Sequence, residues 1–377
     1  MTTLIFITII QSVGLLNKSF DANGKKTSNG QMTNGSFLVG AIKSLKILMQ
    51  GLDRLQSNQA ITLGKPIYTK GFISTANNLV KDTITRTKKH FSFSSTSFLL
   101  FDFDPSKDGF QIKTPKHFIE TMRLIDPLLQ ECSMAVRYGS SYGVCKDGKP
   151  LTNKKSFHCY IIIMNANDEK VKRYKDSLIS SAWEKGFGHI ELSKSGSVLR
   201  RQVFDASVFS PERIIFEASP SLAQGITRVV PEPYFTSEIG HRDLNNILPL
   251  SQKGELMFRE AKEVIKPQSK KKQEQFIHQK IDEKVATGIP RAIATQLVQA
   301  KVQNGVLLPQ EVITDDNGTQ IKISDILMNP SFYDKKYIYD PLEPEKGPSK
   351  AIINSSNPLN MNIYSFIHGG KQYKLTN

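Results

Sequence analysis

The strongest hydrophobic pattern in the chain is an apolar run at residues 97–104 that ends in two acids. Its sequence, Ser-Phe-Leu-Leu-Phe-Asp-Phe-Asp, stops at Pro105, which is typical of a buried strand that leads into a turn. Side chains alternate along a strand, so Asp102 and Asp104 are expected on one face. Adjacent carboxylates repel each other and are costly to bury, and a divalent cation with oxygen ligands relieves both penalties. The alternative is a strand end that carries two solvated acids.

A second apolar strand is predicted at residues 156–163, and it opens with a polar Ser-x-His motif. Ser156 and His158 should share one face of this strand, and Lys154 and Lys155 precede it. A single histidine in such a position is more often structural. The adjacent lysines and serine make a clamp for nucleotide phosphates a competing interpretation.

A third apolar strand, residues 198–204, delivers another acid, Asp205, to its end. Between the first two strands, residues 139–143 form a Gly/Ser turn that contains Ser140 and Ser141. Backbone N–H groups and hydroxyls in such a turn can hold phosphate oxygens, although most Gly/Ser turns only connect elements.

The remaining hydrophobic pattern predicts an α+β fold. Helices are predicted at 42–55, 115–130 and 168–184, and further strands at 4–10, 134–138 and 189–192. A Gly/Asn/Ser/Lys-rich loop is predicted at 21–35. Strands and helices do not alternate regularly, which favours a mainly antiparallel sheet covered by helices.

The character of the chain changes near residue 236. Helices are predicted at 255–265, at 270–286 and after Pro290, and lysine is frequent between 266 and 284. We therefore expect a small helical domain at 236–310 with a basic face, which is either solvated or in contact with nucleic acid. A loop-rich tail is expected at 311–377.

The charge of the chain points to a polyanionic partner. The 377 residues carry 50 Lys and Arg against 35 Asp and Glu, a net charge of +15, spread along the chain. Nucleic acid is the first candidate and an anionic membrane surface the second. With 39% hydrophobic residues, the chain has ample material for a core.

Cysteine usage and the N-terminus predict a cytoplasmic protein with no membrane partner. The three cysteines, Cys132, Cys145 and Cys159, include no C-x-x-C pair, which argues against a disulfide framework and a zinc ribbon. Residues 2–10 are apolar but lack a basic flank, and Gln11 ends the run too early for a membrane span.

Three carboxylates at the ends of two predicted strands suggest metal-dependent phosphoryl chemistry. Asp102, Asp104 and Asp205 together suit two Mg²⁺ or Mn²⁺ ions spaced for in-line phosphoryl transfer. Such chemistry also needs positive charge around the phosphates. The candidates are Lys155, His158, Arg200, Arg201 and Arg213.

The order of these motifs resembles that of the archaeo-eukaryotic primase superfamily, the primase-polymerases, and in particular its branch encoded by phages and plasmids. The three motifs are Asp-x-Asp at 102–104, Ser-x-His at 156–158 and the isolated Asp205. The stretch Arg-Tyr-Gly-Ser-Ser-Tyr-Gly at 137–143 resembles the serine-rich segment between the first two motifs of that branch. Residues 192–213 resemble the neighbourhood of its third motif.

The resemblance covers roughly residues 30–235. It implies a catalytic domain at 1–235, with an N-terminal α/β module at about 1–90 and an RNA-recognition-motif-like core at about 91–235. The tail, with Asp-Pro-Leu-Glu-Pro at 340–344 and Ser-Phe-Ile-His-Gly-Gly at 365–370, resembles the segment that follows the primase in such proteins. The helical region after 236 would assist in capturing template or nucleotide.

The resemblance implies a DNA-dependent primase-polymerase that makes or extends strands on single-stranded DNA from nucleoside triphosphates. Asp102, Asp104 and Asp205 would be the metal ligands, and Ser156 and His158 would contact the triphosphate of the incoming nucleotide. Arg200, Arg201 and Arg213 are less direct matches. Relatives often continue into a helicase, and this chain has no G-x-x-x-x-G-K-[ST] motif, so a helicase partner would be separate or fused beyond it.

Three other functions compete with this interpretation. Haloacid-dehalogenase-type phosphatases also open with an apolar strand and Asp-x-Asp, but Pro105 and Ser106 do not fit their usual motif, and their sheet is parallel. A non-catalytic replication initiator or DNA-binding protein could use charge alone. A relaxase would need a His-hydrophobic-His motif. Five other histidines are isolated and are expected to be structural or on the surface: His117, His189, His241, His278 and His368.

Overall fold

A computed structural model gives the architecture of the chain and describes residues 4–28, 30, 32–75, 83–105, 109–367 and 370–376. The chain divides into two compact units. The first contains Met1–His189 and Arg201–Arg259, and the second contains Ile190–Arg200 and Glu260–Asn377. Two residues considered in the sequence analysis, Ser106 and His368, lie outside the described residues.

The chain up to the acidic strand forms mainly strands. In order these elements are β1 (Ile5–Ser12), β2 (Lys18–Phe20), β3 (Lys26–Ser28), β4 (Asn34–Ile42), α1 (Leu45–Leu52), β5 (Gln59–Thr62), β6 (Lys65–Pro66), β7 (Lys70–Ser74), β8 (Thr83–Ile84), β9 (Phe91–Ser92) and β10 (Thr96–Phe103).

After the acidic strand, helices and strands are mixed. The elements are α2 (Pro115–Ile125), β11 (Met134–Tyr138), β12 (Val144–Lys146), β13 (Lys149–Pro150), β14 (Phe157–Met164), α3 (Asp168–Glu184), β15 (Gly188–Leu192), β16 (Val198–Gln202), β17 (Ser221–Leu222), β18 (Ile226–Arg228), β19 (Tyr234–Phe235) and β20 (Arg242–Asp243). A 3₁₀ turn follows β16 at Ala206–Phe209.

One large sheet organises the first unit. Its strand order is β19-β11-β14-β10-β1-β4-β7-β8, with β5 also paired to β1 and β20 to β14. Most neighbours are antiparallel, whereas β1 and β10, β7 and β8, and β14 and β20 are parallel. The predicted α+β class is therefore confirmed, with a mixed but mainly antiparallel sheet.

The core of this unit lies around β10 and β14. Residues 98–101 of β10 are fully buried, and so are residues 159–161 of β14. Helices α2 and α3 cover the sheet with apolar residues such as Phe118 and Leu178, each worth about 1.5–3 kcal/mol when buried. Asn167 caps α3 by accepting the Lys170 N–H, and the predicted bounds of this helix are confirmed.

Two N-terminal predictions need correction. The helix expected at 42–55 is shorter, because Ile42 closes β4 and the helix begins only after the Ser44 cap. Part of the loop expected at 21–35 is β3 and the start of β4, and residues 29 and 31 of that loop lie outside the described residues. β4 forms backbone hydrogen bonds with β1 on one side and β7 on the other. The backbone makes these bonds, so the strand can form without a hydrophobic alternation that would reveal it in the sequence.

The second unit contains helices followed by a small sheet. Its elements are α4 (Gln252–Ala286, which begins in the first unit), α5 (Arg291–Gln299), β21 (Val306–Leu307), β22 (Val312–Thr314), β23 (Gln320–Lys322), α6 (Ile323–Met328), α7 (Pro330–Tyr333), β24 (Tyr337–Ile338), β25 (Ala351–Asn354), β26 (Asn362–Ser365) and β27 (Gln372–Leu375). The sheet order is β21-β27-β26-β25-β24.

The predicted organisation of this half differs from the structure. The two helices expected at 255–265 and 270–286 form the single helix α4, which continues through Pro267. The segment expected to be a loop-rich tail, 311–377, supplies four of the five strands of this sheet, β24, β25, β26 and β27, which pack into the core of the second unit. The sequence pattern does not predict them because strands of two to four residues are too short to produce a visible alternation.

The domain boundaries also differ from those expected at 235 and 310. The second unit gathers residues 260–377 with residues 190–200. Within it, Lys272 Nζ donates to the Leu192 carbonyl at 3.0 Å, and Ser269 Oγ donates to the Gly196 carbonyl at 2.7 Å. These long-range hydrogen bonds join segments that are far apart in sequence, which composition alone does not reveal. Among the described residues, no helix combines the length and the hydrophobicity needed to cross a bilayer.

Candidate functional site

Strand pairing brings the first two sequence motifs together. In the antiparallel register of β10 and β14, Asp102 lies opposite His158, and on the other side of β14 His158 lies opposite Arg137 of β11. The His158 Nε2 atom is 3.4 Å from Asp102 Oδ1. The site is therefore built on three adjacent central strands, which hold it rigidly.

A buried carboxylate that the sequence analysis did not identify, Glu217, anchors the histidine. His158 Nδ1 lies 2.6 Å from Glu217 Oε1, and the Tyr160 hydroxyl donates to the same oxygen at 2.5 Å. Arg137 Nε is 3.5 Å from the other oxygen, and Arg137 Nη2 is 2.8 Å from Asp53. The shared contact with Glu217 confirms that His158 and Tyr160 project from the same face of β14.

The two carboxylates hold His158 in its charged form. Burial opposes that charge, but Glu217 and Asp102 outweigh it and raise the pKa of His158 to about 9. Burial likewise opposes the charge of Glu217, but His158 and Arg137 lower the pKa of that carboxyl to about 2. At neutral pH the pair is an imidazolium and a carboxylate, with both ring nitrogens facing acids.

Asp102 is the acid of the site whose ionisation its surroundings disfavour. Burial raises its pKa to about 6; His158 opposes this shift, while the negative charges of Asp104 and Asp205 add to it. Its Oδ1 atom is buried without a hydrogen bond, because the contact with His158 does not have hydrogen-bond geometry. A buried carboxylate oxygen with no donor is a candidate ligand atom for a cation or a bound group.

Asp205 comes close to Asp102 through the backbone. Its N–H donates to the Asp102 carbonyl at 2.7 Å. The strand that was expected to deliver it ends earlier, at Gln202, and Asp205 instead caps the 3₁₀ turn, where Ser207 donates to both of its oxygens at 2.8 Å. Asp205 therefore stabilises this turn, whether or not it also binds a metal ion.

The Gly/Ser turn packs against the start of β14. Gly139 N–H donates to the Ser156 carbonyl at 3.0 Å, and a Cβ at position 139 would lie 2.2 Å from Ser156 Oγ. Ser140 is buried, and the Ser141 hydroxyl is buried without a hydrogen-bond partner. The predicted serines therefore lie beside Ser156 and His158, although the inward-facing turn exposes fewer hydroxyls than expected.

The predicted cations are dispersed. Lys155 donates to the Lys113 carbonyl at 3.3 Å and, with Lys154, lines a cavity of about 630 Å³ that also contacts Pro105, next to Asp104. Arg213 is exposed. Arg200 and Arg201 lie on β16, and the boundary between the two units falls between them.

A lysine that the sequence analysis missed, Lys18 on β2, supplies charge closer to the acids. Burial lowers the pKa of its ammonium below the ordinary value, while Asp104 and Asp102 act in the opposite direction. No local signal marks Lys18. Glu217, however, ends the apolar run Ile-Ile-Phe at 214–216, the same pattern that singled out the other acids.

The donor set suits a hard cation, although it is not arranged as a metal centre. Asp102, Asp104 and Asp205 are oxygen donors of the kind that Mg²⁺ and Mn²⁺ prefer, and their charges act on one another. Within the described part of the chain, no three or more His, Cys, Asp or Glu side chains are arranged as a metal-binding group. The three acids therefore match such a cation in donor type, but among the described residues they are not arranged as a metal-binding group.

Comparison with known proteins gave no relatives: no family model, no curated protein and no solved structure matches the chain.

Proposed function

We propose that the chain is a nucleotidyltransferase of the primase-polymerase type, which builds or extends a strand on single-stranded DNA. The observation that carries the proposal is the register of β10 and β14, which sets Asp102 against His158 while the Asp205 N–H bonds to the Asp102 carbonyl. The fold thus brings the residues of the three motifs to one place. The net charge of +15 supports a polyanionic substrate.

In this proposal Asp102, Asp104 and Asp205 would hold two Mg²⁺ or Mn²⁺ ions, and the chemistry such ions would supply is activation of a 3′-hydroxyl and charge stabilisation of pyrophosphate. The chain's own residues supply the rest. His158, kept cationic by Glu217, and Ser156 bind the triphosphate, with Ser140, Ser141, Lys155, Arg200, Arg201 and Arg213 as further candidates and Lys18 as an addition from the structure.

The test is incorporation of labelled nucleoside triphosphates on unprimed single-stranded DNA with Mg²⁺ or Mn²⁺. Asp102→Asn and Asp205→Asn keep the size of each side chain and remove its charge, so we expect activity to fall at least about 100-fold in each. Asp176→Asn is the matched control, because Asp176 lies on α3 and pairs with Lys172 at 3.0 Å, with no place in the candidate site. If product forms only when a primer is annealed to the template, the chain has polymerase activity but does not start strands itself.

A non-catalytic nucleic-acid-binding protein is the second candidate. It is favoured by the two Ser207 hydrogen bonds that already occupy the oxygens of Asp205. Absence of product under every condition, with DNA still bound, would select this function. A haloacid-dehalogenase-type phosphatase is disfavoured because the sheet is mainly antiparallel.

A further inference from the structure

The small sheet of the second unit has one buried and one open face. Residues that alternate onto the buried face form the core of this unit: Ile338, Ala351, Ile353, Ile363, Tyr373 and Leu375. The strand register places Tyr337, Ile352, Tyr364 and Gln372 in one row on the opposite face. All four are at least partly exposed.

Three aromatic rings cluster on this open face. Phe366, just after β26, is 47% exposed, and its N–H donates to the Lys350 carbonyl at 2.8 Å, which continues the strand pairing. Its ring lies 6.2 Å from the ring of Tyr337 and 5.6 Å from that of Tyr364. We call Tyr337, Tyr364 and Phe366 the aromatic face. Rings grouped at solvent on a sheet are typical of a binding surface.

Basic residues share this face with the rings. By the two-residue alternation of the strands, Lys350 and Lys374 lie on the same side as the aromatic face. The described strand positions on this side contain no acidic residue: Val306, Tyr337, Lys350, Ile352, Asn354, Asn362, Tyr364, Phe366, Gln372 and Lys374. Aromatic rings flanked by lysines on an open sheet are complementary to unstacked bases on a phosphate backbone.

We propose that the aromatic face binds single-stranded nucleic acid, with bases stacked on Tyr337, Tyr364 and Phe366 and phosphates directed to Lys350 and Lys374. Every base has a π-face, so recognition of this kind tolerates sequence differences. A duplex cannot use the same rings, because its bases are stacked on each other. The proposal shares the polyanionic partner of the proposed function but does not depend on catalysis.

The test is binding of a fluorescent single-stranded oligodeoxynucleotide to the full chain, without nucleotide or metal, followed by anisotropy. Phe366→Ala should weaken binding roughly tenfold, since each stacking ring contributes about that factor or more. Phe366→Leu keeps apolar bulk without the π-face and should weaken binding nearly as much. Phe72→Ala is the matched control, because Phe72 on β7 of the first unit is 64% exposed. It should bind like the wild type.

A second measurement locates the contact directly. Photo-crosslinking of an oligonucleotide containing 5-iododeoxyuridine, followed by peptide mapping, should place crosslinks on Tyr337, Tyr364 or Phe366, because the reaction favours stacked aromatic rings. Unchanged affinity in both Phe366 variants, together with no crosslink on the aromatic face, would overturn the proposal. So would a change in sedimenting mass of Phe366→Ala without a change in oligonucleotide affinity, which would mark a surface for a second copy.

The outcomes separate this proposal from the proposed function. If the wild type incorporates no nucleotide but Phe366→Ala weakens oligonucleotide binding, the binding face is supported and the polymerase is rejected. If the wild type polymerises normally, both Phe366 variants bind equally well and the crosslinks lie elsewhere, the polymerase is supported and the binding face is rejected.

Discussion

Opposite charges buried side by side are the most informative feature of the candidate site. Glu217 is 4% exposed and contacts His158, Tyr160 and Arg137. A buried charge is tolerated only when partners replace the water it has lost, and removing one partner leaves the other unpaired. We infer that Glu217 positions His158 and does not itself touch a substrate.

Glu217→Gln should therefore destabilise the first unit in a pH-dependent way. The raised pKa of His158, about 9 against 6.5, contributes stability that is complete below pH 6.5 and is lost as the pH rises through 9. The lowered pKa of Glu217, about 2 against 4.5, contributes stability that is present above pH 4.5 and is lost in stronger acid. The loss should be largest between these limits, about 3 kcal/mol.

Urea unfolding followed by the fluorescence of Trp183 measures this effect, because Trp183 is the sole tryptophan and is buried in the same unit. Glu120→Gln is the control, since Glu120 is an exposed acid paired with Lys116 at 3.9 Å. It should change the free energy of unfolding by less than about 0.5 kcal/mol. Equal effects of the two variants at pH 6.5 would contradict the role given to Glu217.

Strand pairing, more than any single side chain, assembles the site. β14 pairs with β10 on one side and β11 on the other, so a slip of one residue would turn His158 away from both Asp102 and Glu217. Hydrogen bonds of the turn at residues 139–143, after β11, stabilise this register. Arg228 donates to the carbonyls of Tyr142 and Gly139, and Gly139 donates to Ser156.

Gly139→Ala should disturb this arrangement. The new Cβ would lie 2.2 Å from Ser156 Oγ and 3.1 Å from Ser156 Cβ, so the Ser156 hydroxyl must rotate away and its Cβ must move slightly, next to the start of β14. We expect a loss of about 1–2 kcal/mol in the free energy of unfolding and a clear drop in nucleotide incorporation. Gly51→Ala in α1 is the control, because no atom lies within 4 Å of its added Cβ. Thermal unfolding and the incorporation assay compare the two, and an unaffected Gly139→Ala would refute the packing argument.

Across the full chain, the positive charge and the division into two units favour contact with a long polyanion. The net charge of +15 is carried by lysines and arginines in both units. The candidate acids all lie in the first unit and the aromatic face in the second. Under the two proposals, the first unit would contact nucleic acid at the candidate acids and the second unit at the aromatic face.

Binding to single-stranded DNA should accordingly be strongly salt-dependent. Release of counterions from the phosphates predicts that affinity falls about tenfold or more between about 50 and 200 mM salt. Titrations by anisotropy over this range measure the slope, and a methylphosphonate oligomer, which has no backbone charge, is the control. A slope equal to that of the uncharged oligomer would argue against a phosphate-tracking surface in either unit.

Local patterns in the sequence are sufficient for the strands and helices that carry the motifs. The apolar runs at 97–104 and 156–163 and the helical spacing at 168–184 all correspond to elements of the structure, because each pattern indicates which side chains are buried. Asp102, Asp104 and the Ser-x-His motif are visible for the same reason, as polar groups at the ends of buried strands, whereas Asp205 caps a 3₁₀ turn beyond its strand.

Only the folded chain reveals what surrounds those motifs. Glu217 is 59 residues from His158 in sequence, Lys18 comes from a three-residue strand, and residues 190–200 belong with residues 260–377. The small sheet that carries the aromatic face consists of strands too short to show a period. These features depend on backbone pairing and long-range packing. Nearly any sequence can make backbone hydrogen bonds, so local composition does not indicate which distant segments pair with one another.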